Sequence, residues 1–408
     1  MKREPPWIPP SGLIAAHLAH GASWILLGLL ARQGIVGPSM RAFAWVHLVA
    51  LGWLTLTALS VLLFVVPQFT DAEWRGELSA RLGIVVFAFG AFAMVVAFWT
   101  GGDSWLWGAA SGVVSGLTLY GVPAVMTLRS AMRTRGTEAA IARAFLIVFA
   151  FLGAAALIGL GMAGEFASGK FSMLAWAPSV HANLAMIGWL TLLVMGVSAR
   201  TIGPISGRRS PQRWVHIVSS SLVTAGTLAL VLVPWTAAAL WPGCILCATG
   251  TTVYAVDMLA LLARSNVQHR PPQAFMAASM LWLVVTVALG ILSVAGHTML
   301  APAYVFVGLV GWVAQIVLAH LHHIGVRLIA TMARGDDDET PPQALLTPNL
   351  SWMAFVLFQM AVATGIAALI SHGSTLLTGA SVAGFAGWVA MTANVARALS
   401  KARANLDA

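Results

Sequence analysis

Charged residues are scarce in this chain. Only 9% of its 408 residues are charged, whereas 59% are hydrophobic and the mean hydropathy is +0.86. A soluble domain carries roughly 25% charged residues, so this deficit excludes an ordinary soluble protein. The formal net charge of +9 does not indicate nucleic-acid binding, because the basic residues are spread between apolar runs and form no cluster. The composition predicts a protein embedded in a lipid bilayer.

Cysteine is nearly absent as well. Cys244 and Cys247 are the only two, which excludes a disulfide framework. Their spacing places both thiols on one face of a helix. Two interpretations follow: the thiols pack as small apolar groups, or they bind Cu(I) or zinc.

Long apolar runs fill most of the chain, and runs of about 20 residues cross a bilayer as helices. Residues 1–6 lead into the first run without a small-residue cleavage site, so we expect no cleaved signal peptide. We predict an all-α polytopic protein with a single transmembrane domain over 1–408. A short acidic loop at about 328–349 is interpreted as a solvated linker or a docking site. The twelve predicted spans are 11–31, 42–66, 80–100, 104–127, 141–163, 177–199, 214–233, 238–263, 272–294, 302–326, 350–371 and 375–396.

The basic residues predict the orientation of these spans. Alternate loops hold only Arg32, Arg41 and Lys170, and the rest of the 22 lysines and arginines lie at the N-terminus or in the other loops. Basic loops stay in the cytoplasm. Both termini are therefore predicted to be cytoplasmic, as in a multi-pass protein of the inner membrane of a bacterium.

A Gly-Trp dipeptide recurs every four spans, which predicts an internal repeat of four helices. Its copies are Gly52-Trp53 in span 2, Gly188-Trp189 in span 6 and Gly311-Trp312 in span 10. A simpler interpretation is that the glycine permits close helix packing and that the tryptophan fills the interface.

Histidines lie within these apolar spans, where an ionisable side chain is a functional-site hypothesis by default. His47 and His181 lie about one turn below the outer surface, and His297 and His372 lie in outer loops, so these four are predicted to form an outer cluster. A second set lies toward the cytoplasmic side: His17, His20, His216, His320, His322 and His323. Asp257 in span 8 is a predicted proton-relay residue.

Imidazole is the commonest protein ligand for haem iron, copper and zinc. Haem b and copper are therefore the predicted cofactors. We expect His47, His320, His322, His323, His17 and His20 to bind the cofactor, and His181, His297 and His216 to bind a metal ion. The alternative for any one of them is a buried histidine bonded to a backbone carbonyl.

The arrangement resembles subunit I of the haem–copper oxidases, and within that superfamily the NnrS family. The resemblance rests on twelve spans in repeats of four, on two motif stretches that begin at His47 and His181, and on the span-10 pair His320 and His322. It implies that His47 binds a low-spin haem, that His181 binds copper, and that His320 and His322 bind the two haems.

The chain departs from the oxidase pattern in three respects. The span-10 histidines lie at the inner end, span 7 has His216 alone in place of an adjacent pair, and no tyrosine stands in span 6 or 7. We therefore expect a haem or copper membrane protein with a redox or nitric-oxide-related role, working with a diatomic gas or an electron donor, and no proton-pumping oxidase. The alternative is a secondary transporter or metal permease that uses the histidine clusters and Asp257.

Overall fold

The computed structural model describes residues 10–133, 136–170, 172–173, 175–208, 213–267, 270–327, 329–330 and 342–404. Across these ranges the chain forms twelve long apolar helices, each sufficient to cross a bilayer. The prediction of an all-α polytopic protein is confirmed. The helices are α1 Pro10–Arg32, α2 Met40–Thr70, α3 Glu77–Thr100, α4 Asp103–Ala131, α5 Thr137–Ser168, α6 Ala177–Ser206, α7 Arg213–Leu232, α8 Leu240–Ala263, α9 Pro271–Val294, α10 Thr298–Gly325, α11 Pro348–Ser371 and α12 Ser374–Ala404.

Tryptophans stand exposed at the helix ends, where an amphipathic ring belongs at a membrane–water interface. Trp105 begins α4 and is 78% exposed, and Trp235 lies between α7 and α8. Trp214 and Trp352 occupy the first turns of α7 and α11. In the predicted orientation the first two are on the outer side and the last two on the inner side.

The helices form two compact units. Unit 1 comprises Met1–Ser23, Pro38–Arg200 and His216–Gly250, and unit 2 comprises Trp24–Gly37, Thr201–Val215 and Thr251–Ala408. Within unit 2, the end of the acidic loop is not solvated, because Leu345 and Leu346 are buried. They pack against Val326 and the last turns of α12.

Glycines determine how closely α3 and α4 approach each other in unit 1. A methyl group on Gly116 would fall onto the backbone nitrogen of Phe87, and one on Gly83 would lie 2.7 Å from the backbone nitrogen of Tyr120. Without an apolar driving force between helices in lipid, such close backbone contact supplies much of the association energy.

Each Gly-Trp dipeptide lies in a π-helical segment eight residues long. In all three segments the glycine is the fifth residue and the tryptophan is the sixth. The segments are Leu48–Thr55 in α2, Leu184–Thr191 in α6 and Val307–Ala314 in α10. Because π turns are rare and are enriched at functional sites, three of them in one register are evidence of a repeated and specialised unit.

The helix before each π segment packs in the same register. Each π-segment glycine faces a side chain of the preceding helix. In two of the three copies, the residue four positions after that side chain has a backbone carbonyl that accepts a hydrogen bond from a ring on the helix that contains the π segment. The glycine pairs are Gly52 with Ala19, Gly188 with Phe151 and Gly311 with Trp282. The carbonyl pairs are Ser23 with Trp45 and Ala155 with His181.

The register extends one further turn. Gly159 lies eight residues after Phe151 and faces His181, and Gly290 lies eight residues after Trp282 and faces Tyr304. The helix pairs α1–α2, α5–α6 and α9–α10 therefore share one packing pattern, which supports the predicted repeat of four helices. The simpler interpretation of the dipeptides also holds, since all three tryptophans are buried.

A closed amide network joins α9, α10 and α11 in unit 2. The Gln359 carbonyl oxygen accepts from Trp282 at 2.9 Å and from Gln315 at 3.2 Å, and its amide donates to Gln315 at 2.7 Å. Gln315 is fully buried. Such a network specifies one packing arrangement only when every polar group has a partner.

We expect Gln359→Leu to destabilise the protein because it deprives Gln315 and Trp282 of their partner. Each buried polar group left unsatisfied costs about 1–3 kcal/mol. In thermal unfolding in detergent, the double variant Gln315→Leu/Gln359→Leu should be more stable than Gln359→Leu, because it removes one stranded amide. If the loss of stability in the double variant equalled the sum of the losses in the two single variants, the two glutamines would not share a network.

Candidate functional site

His47 and His181 lie side by side in unit 1. His47 is the last residue before the π segment of α2, and His181 lies three residues before that of α6. Their ring centroids are 6.3 Å apart and their planes differ by 23°. Two histidines that are 134 positions apart in the sequence are thus neighbours, both at the predicted outer ends of their spans.

The hydrogen bonds of this pair fix its tautomers. Nδ1 of His47 lies 2.8 Å from the Phe43 carbonyl, and Nδ1 of His181 lies 2.9 Å from the Ala155 carbonyl. A carbonyl oxygen only accepts, so Nδ1 of each ring carries the proton and, in the neutral imidazole, Nε2 carries the lone pair. A histidine that only packs in the interior would make this bond to a backbone carbonyl. A metal-binding histidine is oriented by the same kind of bond, so the bond is consistent with both interpretations.

Apolar groups surround the two rings. The ring of Phe98 lies 4.7 Å from that of His47. On the other side, a methyl group at Gly159 would lie 3.1 Å from Cε1 of His181, so the ring fills the space that a larger residue would occupy. Sequence patterns alone missed Phe98 and Gly159. The register shared by Gly159 and Gly290 is the signal that identifies the glycine.

The spacing of the pair is short enough for both rings to share one metal ion. A bound imidazole nitrogen lies about 2.0–2.1 Å from the metal and roughly 1.1 Å from its own ring centroid, so two rings that share an ion have centroids at most roughly 6.3 Å apart. The observed separation is 6.3 Å.

Two further histidines of unit 1 lie along α1. His20 is buried and stacks on Trp53, with centroids 3.6 Å apart and planes 7° apart. His17 approaches the edge of His20 at 6.3 Å. His216, near the start of α7, is buried in the same unit.

The span-10 histidines belong to unit 2. Nδ1 of His320 bonds the Ile316 carbonyl at 2.6 Å, and its Nε2 lies 2.6 Å from the Thr201 hydroxyl. Nδ1 of His322 bonds the Leu318 carbonyl at 2.8 Å, and its ring lies against Phe275. His320 thus has a protein partner at each nitrogen, and a metal ion at Nε2 would have to displace Thr201.

The remaining predicted residues occupy varied positions. His297 and His372 are exposed, His297 before α10 and His372 at the left-handed residue that ends α11 (φ 53°). His323 is half-buried in the last turn of α10, and His269 lies outside the described residues.

Asp257 and the two cysteines lie on α8. Oδ2 of Asp257 is buried and has no hydrogen-bond partner among the described residues. Cys247 is buried, with its thiol 3.9 Å from the Val223 carbonyl, and a methyl group on Gly226 would lie 2.5 Å from its sulfur. These contacts are those expected of a packed thiol.

Within the described ranges, no group of three or more His, Cys, Asp and Glu side chains is arranged to hold a metal ion. His47 and His181 therefore stand as a pair of candidate ligands. No family model matches the chain, and no curated protein matches it.

Proposed function

We propose that this chain is a multi-pass membrane protein that binds haem or copper through His47 and His181. The observation that supports this is the pair of imidazoles whose Nδ1 protons are held by carbonyls and whose centroids are 6.3 Å apart. Two oriented imidazoles at this spacing suit a metal ion or a metal-containing cofactor.

The donor set fits haem b. His47 and His181 would hold the haem iron, and the bound iron would supply one-electron redox chemistry. The half-buried rings and the neighbouring Phe98 provide apolar surroundings that tune its potential. The donor set also fits copper, for which imidazole is a common ligand.

The arrangement favours electron transfer over reaction with a gas. With both His47 and His181 holding it, the group would supply electron transfer more readily than reaction with nitric oxide. A nitric-oxide-related role therefore needs His47 or His181 to move away. Among the described residues, His47 is hydrogen-bonded only within its own helix, whereas His181 is hydrogen-bonded to α5, so displacing His47 would break no hydrogen bond to another helix.

A difference spectrum tests the proposal. The protein purified from haem-replete cells should show a sharp b-type band in reduced-minus-oxidised absorbance, with near-stoichiometric iron, or it should contain copper. We expect His47→Asn and His181→Gln each to abolish that spectrum or metal content. His372→Asn is the control, because Asn tolerates the left-handed conformation at that exposed cap.

Other outcomes redirect the assignment. A band lost in His320→Ala or His322→Ala but kept in His47→Asn would place the cofactor at the span-10 histidines instead. A colourless protein without iron or copper would overturn the proposal.

The second candidate is a transporter, favoured by the buried Asp257 carboxylate oxygen inside α8. A carboxylate within a span is costly and typically marks an ion or proton path. Metal-free and haem-free protein that takes up a divalent cation into liposomes, and that loses this uptake in Asp257→Asn, would establish the transporter.

A further inference from the structure

We propose that His17 and His20 form a second metal site in unit 1, separate from the outer pair, which takes a monovalent copper ion. The two residues are three apart on α1, and their centroids are 6.3 Å apart with planes at 82°. The site lies against Trp53, six residues or about 9 Å along α2 from His47. The inference does not depend on the proposed function.

Stacking on Trp53 holds His20 in a defined orientation. The two rings are parallel within 7° at 3.6 Å, and both residues are buried. Face stacking leaves the edge of the imidazole, where both nitrogens lie, directed away from the indole. The half-buried ring of His17 lies nearly perpendicular to that ring, with centroids 6.3 Å apart, so two imidazoles lie in one region of the helix packing.

The internal repeat provides a control for what packing requires at this position. His20 follows Ala19, and its counterparts after Phe151 and Trp282 are Leu152 and Leu283, both buried. Leucine therefore fills this position twice in the same register. A buried histidine is costlier to place in a membrane span than leucine, so its presence in the first repeat indicates a role other than packing.

Charge and spacing select the ion. His17 and His20 are neutral ligands and bring no negative charge, so a divalent ion would carry its full charge into a buried site, where charge is costly. Two imidazoles whose nitrogens lie about 2.0–2.1 Å from one ion have centroids at most roughly 6.3 Å apart, and the observed 6.3 Å lies at that limit. Linear coordination by two nitrogens is a geometry that Cu(I) accepts.

The test uses the full chain with the outer histidines and the cysteines replaced (His47→Asn, His181→Gln, Cys244→Ala, Cys247→Ala). Cu(I) is supplied under anaerobic conditions through a competing chelator, and bound copper is measured. We expect one equivalent to bind. Adding His20→Leu should remove that equivalent, and the protein should remain folded because the repeat accepts leucine there.

Two further measurements decide the outcome. His17→Phe, which copies the counterpart Phe149, should weaken binding at least tenfold, whereas the control His297→Ala should leave it unchanged. Cu(I) should also change the tryptophan emission of the parent chain but not that of a Trp53→Phe variant. Copper binding that is equal in the parent, His20→Leu and His17→Phe would overturn the proposal.

Discussion

Replacing Gly159 by valine should abolish cofactor binding at the outer pair. A methyl group there would already lie 3.1 Å from Cε1 and 3.3 Å from Nδ1 of His181, and valine adds two more carbons in a packed interface. We expect the ring to move and the Nδ1 bond to the Ala155 carbonyl to break, at a cost to stability of about 1–3 kcal/mol. Haem or copper content per protein should fall below one tenth of the parent value.

Gly290→Val is the matched control. A methyl group at Gly290 would lie 3.0 Å from Cε2 of Tyr304 and 3.3 Å from Cδ2, so the clash and the loss of stability should be similar. Tyr304 is not a proposed ligand, and the cofactor should be retained. Equal cofactor loss in Gly159→Val and Gly290→Val, or loss in neither, would show that His181 does not bind the cofactor.

The span positions were predictable because a long apolar segment of this chain can cross the bilayer only as a helix. A backbone in hydrocarbon must satisfy its own hydrogen bonds, and a helix does so with no partner. Span 9 was predicted at 272–294 and is observed at Pro271–Val294. Span 5 was predicted at 141–163 but extends over Thr137–Ser168, because helical hydrogen bonding continues past the apolar stretch into residues such as Glu138 and Glu165.

The site was only partly predictable. Depth alone placed His47 and His181 at the same level, since each lies near the outer end of its predicted span. Their ring spacing depends on helix packing, and the tautomer of His181 depends on the packing of α5 against α6, which one-dimensional patterns do not contain. The stack of His20 on Trp53 was missed for the same reason, although both residues were singled out separately.

The Gly-Trp repeat shows most clearly which features the sequence predicts and which only the structure reveals. Its spacing in spans was visible in the sequence, and the structure adds that each copy is a π segment. Hydrophobic pattern does not distinguish an α turn from a π turn, because both are apolar throughout in a buried helix. The repeat is most useful for comparing residues at equivalent positions. Leu152 stands where the first repeat has His20, and Asn183 stands where it has His47, so neither histidine is required by the repeat itself.

Gly116→Leu should prevent α3 and α4 from packing. A methyl group on Gly116 would meet the backbone nitrogen of Phe87 and lie 2.6 Å from its Cα, and backbone atoms cannot turn aside as a side chain can. The helices would have to separate along the contact that Gly83 and Gly90 also form. We expect a loss of ~4 kcal/mol or more, in the range reserved for severe core defects, seen as absence of a monodisperse peak in size-exclusion chromatography.

Gly121→Leu on the same helix is the control, because no described atom beyond its own helical turn lies within 4 Å of the added carbon. Leucine is also a better helix former than glycine by roughly 0.8–1.0 kcal/mol in an exposed helix. The variant should therefore elute and unfold like the parent or be slightly more stable. If Gly116→Leu and Gly121→Leu unfolded at the same temperature as the parent, close contact between α3 and α4 would not contribute to stability. Destabilisation by both to the same extent would instead indicate a general intolerance of bulk on α4.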